Sequence, residues 1–518
     1  MIMNKAFYTF LFLIIILTWF AGCTTQENKK SSGEQLAKTY CASCHIFPEP
    51  SLLDKKTWAA SILPEMGKHL GIKYYNGHAY PDLRVSTDSN NKISLQTSSI
   101  AVEDWNKIAD YYQSAAPDTL PAQGRPPIEQ FTTLFTEKEV LVDKGFPSAT
   151  YVKIDPGNKW LYAANATDSS IYIYNKNLQK IAEQDVHGVI VDMNFKNDLN
   201  LPGERKGNYT NIGYINPNDR RTGNIYNFSI TKKGSFKRDA KIADSLPRPV
   251  QVTEYDLDND GKPDYLVCGF GNKAGEFYWM RNKGDGSFEK KMLWAIPGAI
   301  KAYIRDFNKD GLPDIMVLFA QAEEGIYLFT NKGNGNFEKT DLLRFPPVYG
   351  SCYFELDDFN NDGFPDILYS CGDNADFSSN ELKNYHGLYI FLNDGKNNFT
   401  QKYFFPIHGC YKAMARDFDK DGDLDIAAIS FFPDKKHQPQ ESFVYLENKG
   451  NFQFTPYAIP DFAKGNWLTM DAGDLDGDGD EDIIIGNLDM PEIRRDSRKQ
   501  QINKPAFLIL QNNTINHK

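Results

Sequence analysis

A small all-α domain followed by a large all-β domain of repeated four-stranded sheets is the fold class that this 518-residue sequence predicts. Three observations carry it. From Asp256 onward an aspartate-rich loop recurs five times at spacings of 50 to 59 residues, each copy flanked by runs of strand character. Ahead of that region, two helical patterns bracket the peptide Cys41-Ala42-Ser43-Cys44-His45. Between the two lies "DTLPAQGRPPIEQF", which with Pro117 carries prolines at 117, 121, 126 and 127 and reads as an extended linker over 118–134.

The chain is too long for one ordinary core, and its 41% hydrophobic and 14% aromatic content suits packed domains. A formal net charge of −11, with no long basic run, argues against nucleic acid as a partner. The first residues, "MIMNKAFYTFLFLIIILTWFAGC", hold one Lys, an apolar run from Ala6 to Phe20 and then Ala21-Gly22-Cys23. By pattern, residues 1–23 are an export signal. Its end resembles a bacterial lipobox, with Phe20 standing where an aliphatic residue is usual. The resemblance implies lipidation of Cys23 as the mature N-terminus, followed by a flexible tether over 24–32. The alternative is an uncleaved anchor helix. Both place the remainder outside the cytoplasm and tethered to a membrane. The expected location is the bacterial cell envelope, on the periplasmic or cell-surface side of the outer membrane. No other apolar run is long enough to span a bilayer.

The helical domain is expected over 33–117. "GEQLAKTY" reads as a short amphipathic helix with Leu36 and Tyr40 on one face. "AVEDWNKIADYYQSAAP" reads as a closing helix with Trp105, Ile108 and Tyr112 on one stripe, ended by Pro117. The spacing C-x-x-C-H lets two thiols add to the haem vinyls while the adjacent imidazole reaches the iron. Zinc or thiol chemistry is the alternative for such a motif. Helix, motif and aromatic closing helix together resemble a class I cytochrome c domain. The resemblance implies one covalent haem c on Cys41 and Cys44, with His45 as an axial ligand. In "TWAASILPEMGKHLG", similarity to short cytochrome domains with a Trp-containing helix before Met points to Met66 as the second axial ligand; His69 is the alternative.

The five loops are "DLDNDGKPDYLV", "DFNKDGLPDIMV", "DFNNDGFPDILY", "DFDKDGDLDIAA" and "DLDGDGDEDIII". Positions 1, 3, 5 and 9 offer hard oxygens: Asp256, Asp258, Asp260 and Asp264, then Asp306, Asn308, Asp310 and Asp314. They continue as Asp358, Asn360, Asp362 and Asp366, then Asp417, Asp419, Asp421 and Asp425, and finally Asp474, Asp476, Asp478 and Asp482. Such a set with Gly at position 6 suits calcium, about five ions in all. An EF-hand would place Glu at position 12, where Val267, Val317, Tyr369, Ala428 and Ile485 stand. The pattern resembles the FG-GAP/VCBS repeat of β-propellers. Two earlier segments, "SATYVKIDPGNKWLYAANATDSSIYIYN" and "HGVIVDMNFKND" to "GNIYNFSITKKGSF", keep the strands without the Asp loop. A propeller of seven blades over 135–513 is therefore expected, with six or eight as the neighbouring counts. Cys268, Cys352, Cys371 and Cys410 remain, an even number in a compartment that permits disulfides; a Cys352–Cys371 bond is one hypothesis.

The calcium loops are turns between strands A and B, so the starts of the A strands share the opposite face. Five residues before each first Asp stand Gln251, Lys301, Tyr353, Lys412 and Thr469, a polar ring at the channel mouth. With nearby Trp467, the residues Gln251, Lys301, Tyr353 and Lys412 form the candidate binding face. Insertions near 203, 371, 432 and 486 are expected in B–C loops of that face, bringing Arg220, Arg221, Lys435, Lys436, Arg494, Arg495 and Arg498. His187 and His408 each open a His-Gly before an A strand. The whole chain resembles bacterial lipoproteins that join a cytochrome c domain to FG-GAP/VCBS repeats. The resemblance implies haem-mediated electron transfer to a redox partner protein, with the propeller docking a partner or an extracellular ligand such as a glycan. The alternative is an oxidoreductase whose substrate site is the channel mouth and whose electron acceptor is the haem. With no Ser-His-Asp, zinc or nucleotide signature, electron transfer is favoured over a stand-alone enzyme.

Overall fold

The computed structural model describes residues 24–72, 74–75, 78–79, 99–142, 145–196, 204–376, 380–489 and 504–515. The expected signal, with Phe20 and Cys23, lies outside them, as do Arg494, Arg495 and Arg498. Among the described residues no helix is long and apolar enough to cross a membrane. The chain forms two units that divide at Pro121 and Ala122.

The first unit is helical. A helix runs Thr24–Tyr40, so the stretch expected as a flexible tether is its first half. The reason is local: Gln26, Glu27, Lys29 and Lys30 are good helix formers, and no Pro or Gly interrupts them before Gly33. A closing helix runs Val102–Ala115. The two helices touch at Gly33, where an added Cβ would lie 2.6 Å from the Lys107 carbonyl oxygen and 3.0 Å from the Tyr111 Cβ. Ala37, Trp58, Leu63, Trp105, Ile108 and Tyr112 are the core. Helical turns at Lys55–Thr57, Trp58–Ile62 and Leu63–His69 lie between, the first capped by Asp54, which accepts from the Thr57 amide at 2.8 Å.

The second unit is a seven-bladed β-propeller, each blade a four-stranded antiparallel sheet. Blades 1 to 6 are continuous meanders over 149–185, 190–246, 249–294, 299–344, 351–406 and 410–457. Blade 7 takes three strands, Trp467–Gly473, Asp482–Asn487 and Pro505–Asn512, and its outer strand is Phe135–Leu141 from the start of the unit. The ring is thus closed by pairing its two ends, which leaves no open blade edge at the seam. Strands at the second position, such as Asp314–Phe319 and Asp425–Ser430, are buried along their whole length because neighbouring blades cover both faces.

All seven inner strands share one irregularity: a β-bulge after their first residues, as between Pro249 and Gln251 or Cys410 and Lys412. They are also stitched in sequence. The Asp192 carboxylate accepts from Val252 N (3.1 Å), Gln251 from Ala302 N (2.6 Å), Glu355 from Ala415 N (2.9 Å) and Asp471 from Ile154 N (2.9 Å). Lys412 donates to the Met470 carbonyl (2.7 Å), and Tyr303 and Tyr151 reach the Phe354 and Met193 carbonyls (3.4 Å each). Every neighbouring pair of blades therefore carries a side-chain bond to the next inner strand.

Most of the stretch expected as an extended linker makes contacts within this unit. Arg125 pairs with Asp434 (2.8 Å) and Glu441 (3.0 Å), Ile128 is 4% exposed, and Thr132 N donates to the Ala458 carbonyl. Its prolines keep the segment extended, and extended backbone is what lets it lie along blade 6 as a strap.

Candidate functional site

Three places carry chemistry. The first is the motif at Cys41. Cys41–Ser43 form a 3₁₀ turn that directly continues the helix Thr24–Tyr40, and Cys44 closes it. Both thiols are free; Cys41 is half-buried and Cys44 exposed. Burial pushes the Cys41 thiol up to about 11. His45 is half-buried, and its Nδ1 lies 2.8 Å from the Ile46 carbonyl oxygen. A carbonyl can only accept, so Nδ1 carries a proton and donates to Ile46. The closing helix supports this turn. Tyr112 donates to the Pro48 carbonyl and Trp58 to the Pro50 carbonyl, both at 2.8 Å, and their rings pack 4.4 Å apart. Met66 is half-buried in Leu63–His69, while His69 is exposed.

The second place is the set of aspartate loops. In each of the first four, the position-1 carboxylate accepts from the amides of positions 5 and 6, as Asp306 does from Asp310 N (3.1 Å) and Gly311 N (2.8 Å). Positions 4 and 6 both have positive φ, for example Lys309 at 62° and Gly311 at 87°. Those two turns draw the side chains of positions 1, 3 and 5 inward. One oxygen from each of Asp256, Asp258 and Asp260 lies within 4.8 Å of the others, and the same holds for Asp417, Asp419 and Asp421 and for Asp474, Asp476 and Asp478. In the remaining loops, Asn308 and Asn360 at position 3 donate to Asp310 and Asp362 at 2.8 Å.

Position 9 behaves differently. Asp264, Asp314, Asp366, Asp425 and Asp482 are buried at the start of the second strand. Each accepts from the amide of loop position 2 and from the amide of an Asn ending the third strand; Asp366 takes Phe359 N (3.0 Å) and Asn393 N (2.8 Å). These five carboxylates pin the loop to the sheet. The partner Asn residues 282, 331, 393, 448 and 512 lie outside the ligand sets that the loops suggest, although the recurring final Asn of runs such as "GLYIFLN" is a visible signal.

The three carboxylate trios differ in counter-charge. Arg281 pairs with Asp258 (2.5 Å), Lys262 with Asp260 (3.0 Å) and Lys159 with Asp474 (2.8 Å). The trio Asp417, Asp419 and Asp421 has no Lys or Arg partner among the described residues, and burial, with Asp421 close by, pushes Asp419 up to about 6.

The third place is the channel mouth. Gln251, Lys301, Tyr353, Lys412 and Thr469 each follow the bulge of their inner strand, and Tyr151 and Asp192 hold the same position in blades 1 and 2. Trp467 does not belong there. It precedes the bulge, is 0% exposed in the core between blades 6 and 7, and donates to the Phe462 carbonyl at 3.1 Å. The insertion near 203 is also different from expectation. Arg205–Asn211 is the second strand of blade 2, leaving 212–222 as its B–C loop. That loop is docked: Asp219 accepts from the amides of Asn272, Lys273 and Ala274, and Arg221 grips Glu276 with two bonds of 3.0 and 3.1 Å. Arg221 is therefore spent within the fold, and Lys435 likewise bonds Asn466 (2.7 Å). Cys352 sits in the bulge while Cys371 pairs with Ser351, and both thiols are free and buried. His187 is exposed beside Asp185, whereas His408 is buried and neutral, held down to about 4 by burial.

A propeller of seven blades, five of which carry aspartate-rich turns, is the class that fold and site define. The FG-GAP-like repeat model matches residues 256–317, 306–369 and 417–485, so the chain carries FG-GAP-like repeats in blades 3 to 7. No curated protein sequence matches it. Among solved structures, a virginiamycin B lyase from Staphylococcus aureus aligns at 12% identity over 63% of this chain and 89% of that one, with a TM-score of 0.40. A chain from the structure of BBS1N in complex with ARL6DN aligns at 10% identity over 75% and 98%, with a TM-score of 0.42.

Proposed function

We propose that this chain is a membrane-anchored, extracytoplasmic c-type cytochrome whose calcium-stabilised propeller serves as the scaffold for a partner or ligand. The observation that carries the reading is the Cys41-to-His45 turn. Two free thiols and an imidazole that donates from Nδ1 to Ile46 stand on one turn, braced by the buried Trp58 and Tyr112. That donor set fits a covalent haem: Cys41 and Cys44 would hold it, His45 would ligate it, and Met66 is the proposed second ligand. When bound, the group supplies one-electron transfer. The thiols fix its position, the Ile46 carbonyl orients His45, and the aromatic pair excludes water from one side of the turn.

The signal and Cys23 supply export and a lipid anchor in this reading, which places the protein in the bacterial cell envelope. Calcium is proposed at the aspartate loops, first at Asp417, Asp419 and Asp421, where no Lys or Arg among the described residues forms an ion pair. A redox partner protein would accept or donate the electron. The second reading, an oxidoreductase with its substrate at the channel mouth, is favoured by Lys301 and Lys412 there, which form no ion pair among the described residues. Denaturing gels stained for haem test the main reading: the full chain, matured in an exporting host, should stain, and Cys41→Ser with Cys44→Ser should not. Equal staining of both would overturn it.

A further inference from the structure

The inner strands of blades 4 and 6 bring two lysines to one aromatic ring. The Lys301 ammonium lies 5.6 Å and the Lys412 ammonium 4.6 Å from the centre of the Tyr353 ring. Lys301 also faces the Tyr303 ring at 5.1 Å. Neither lysine forms an ion pair among the described residues. The only protein acceptor of Lys412 there is the Met470 carbonyl. Asp192 shares the ring of positions, but its carboxylate accepts from Val252 N and lies beyond ion-pair distance of both lysines.

Arg248, three residues before Gln251, repeats the pattern. Its guanidinium donates to the Ile215 carbonyl (2.8 Å), stacks over Phe270 (5.2 Å) and keeps a buried Nε without a partner. Both Tyr411, the residue next to Lys412, and the Asp373 carboxylate lie within reach of its charge. Elsewhere in the unit, half-buried cations such as Arg125, Arg205 and Arg281 are neutralised by carboxylates. The carboxylates nearest these cations are bonded to other groups: Asp471 to Lys153 and the Ile154 amide, Glu355 to Arg416 and the Ala415 amide, and Asp373 to the Ala375 amide. Partly desolvated cations with no carboxylate in direct contact are what an added anion relieves. Burial already holds Lys412 down to about 8.

We propose that the channel mouth is a binding site for an oxyanion group of a small ligand, held by the ammonium groups of Lys301 and Lys412 beside Tyr353, with Arg248 at the rim. The site deepens the ligand-binding role of the propeller and stands on the mouth geometry alone, so it holds or fails independently of the haem. Carboxylates and phosphates share this chemistry. Calorimetric titration of the full chain at low ionic strength with D-galacturonate, inorganic phosphate and D-galactose separates them. At least one of the two anions should bind while galactose does not, the stronger anion naming the source. Lys301→Gln, which removes no hydrogen bond, should weaken the anion about tenfold at an unchanged melting temperature, and adding Lys412→Gln should weaken it further. Binding of neither anion, equal binding of galactose, or unaltered affinity in Lys301→Gln would overturn the proposal.

Discussion

Asp366 and its four equivalents are held by two backbone amides each, one from the loop and one from the third strand, so removing a carboxylate leaves two buried donors unsatisfied. Asp366→Ala is expected to cost about 3 kcal/mol, while Asp366→Asn, which keeps one acceptor, should cost about half as much; urea unfolding measures both. His408 makes a prediction in pH. Burial lowers its folded pKa to about 4, below the ordinary value of 6.5, so the unfolded chain binds the proton first and stability falls as pH drops from about 6.5 to 4. The loss attributable to this group is about 3 kcal/mol. His408→Gln should flatten the pH dependence across that window relative to the parent. An identical slope in both would show that His408 titrates normally. At this scale the carboxylates at positions 1, 3 and 5 were legible because type and spacing survive in sequence. Trp467 was not, because a bulge decides whether a residue faces the channel or the core, and the bulge leaves no mark in composition.

The strap, the closing strand and the aspartate loop are elements whose contributions separate. Arg125 compensates Asp434 and Glu441, which are 4% and 0% exposed, so Arg125→Ala would leave buried charge behind and should cost about 3–5 kcal/mol. Phe135, on the strand that closes blade 7, packs edge-on against Phe418 and Tyr445 at 5.9 and 5.6 Å, and Phe135→Ala should cost about 3–5 kcal/mol. Both are read as falls in the urea midpoint. For the loops, chelation should lower the melting temperature of the parent by mass action, and less so in Asp419→Asn, which disables the trio that has no Lys or Arg partner among the described residues. No shift on chelation in either protein would remove calcium from the account. The loops announced themselves by repetition. The closing strand "FTEKEVL" did not, because its partner Pro505–Asn512 is far along the chain and its own pattern is that of any short edge strand.

Across the whole molecule, the helical unit and the propeller are joined by a chain segment whose second part is strapped to blade 6, so little of the proline-rich stretch is left as free linker. Seven blades were legible in sequence even where two had lost the Asp loop, since strand periodicity outlasts the motif. The stitching of the inner strands was not, because it joins residues from neighbouring repeats that no local pattern relates. The central claim is that a single haem is carried by Cys41, Cys44 and His45 on a chain that otherwise forms a calcium-supported propeller. The reduced pyridine haemochrome spectrum of the purified full chain, set against its protein concentration, tests it most directly. The account predicts the spectrum of a haem with both vinyls saturated, at one haem per chain, and its loss in Cys41→Ser with Cys44→Ser. A chain matured in a host that makes c-type cytochromes and yet carrying no haem, or a haem extractable by acid acetone, would contradict it.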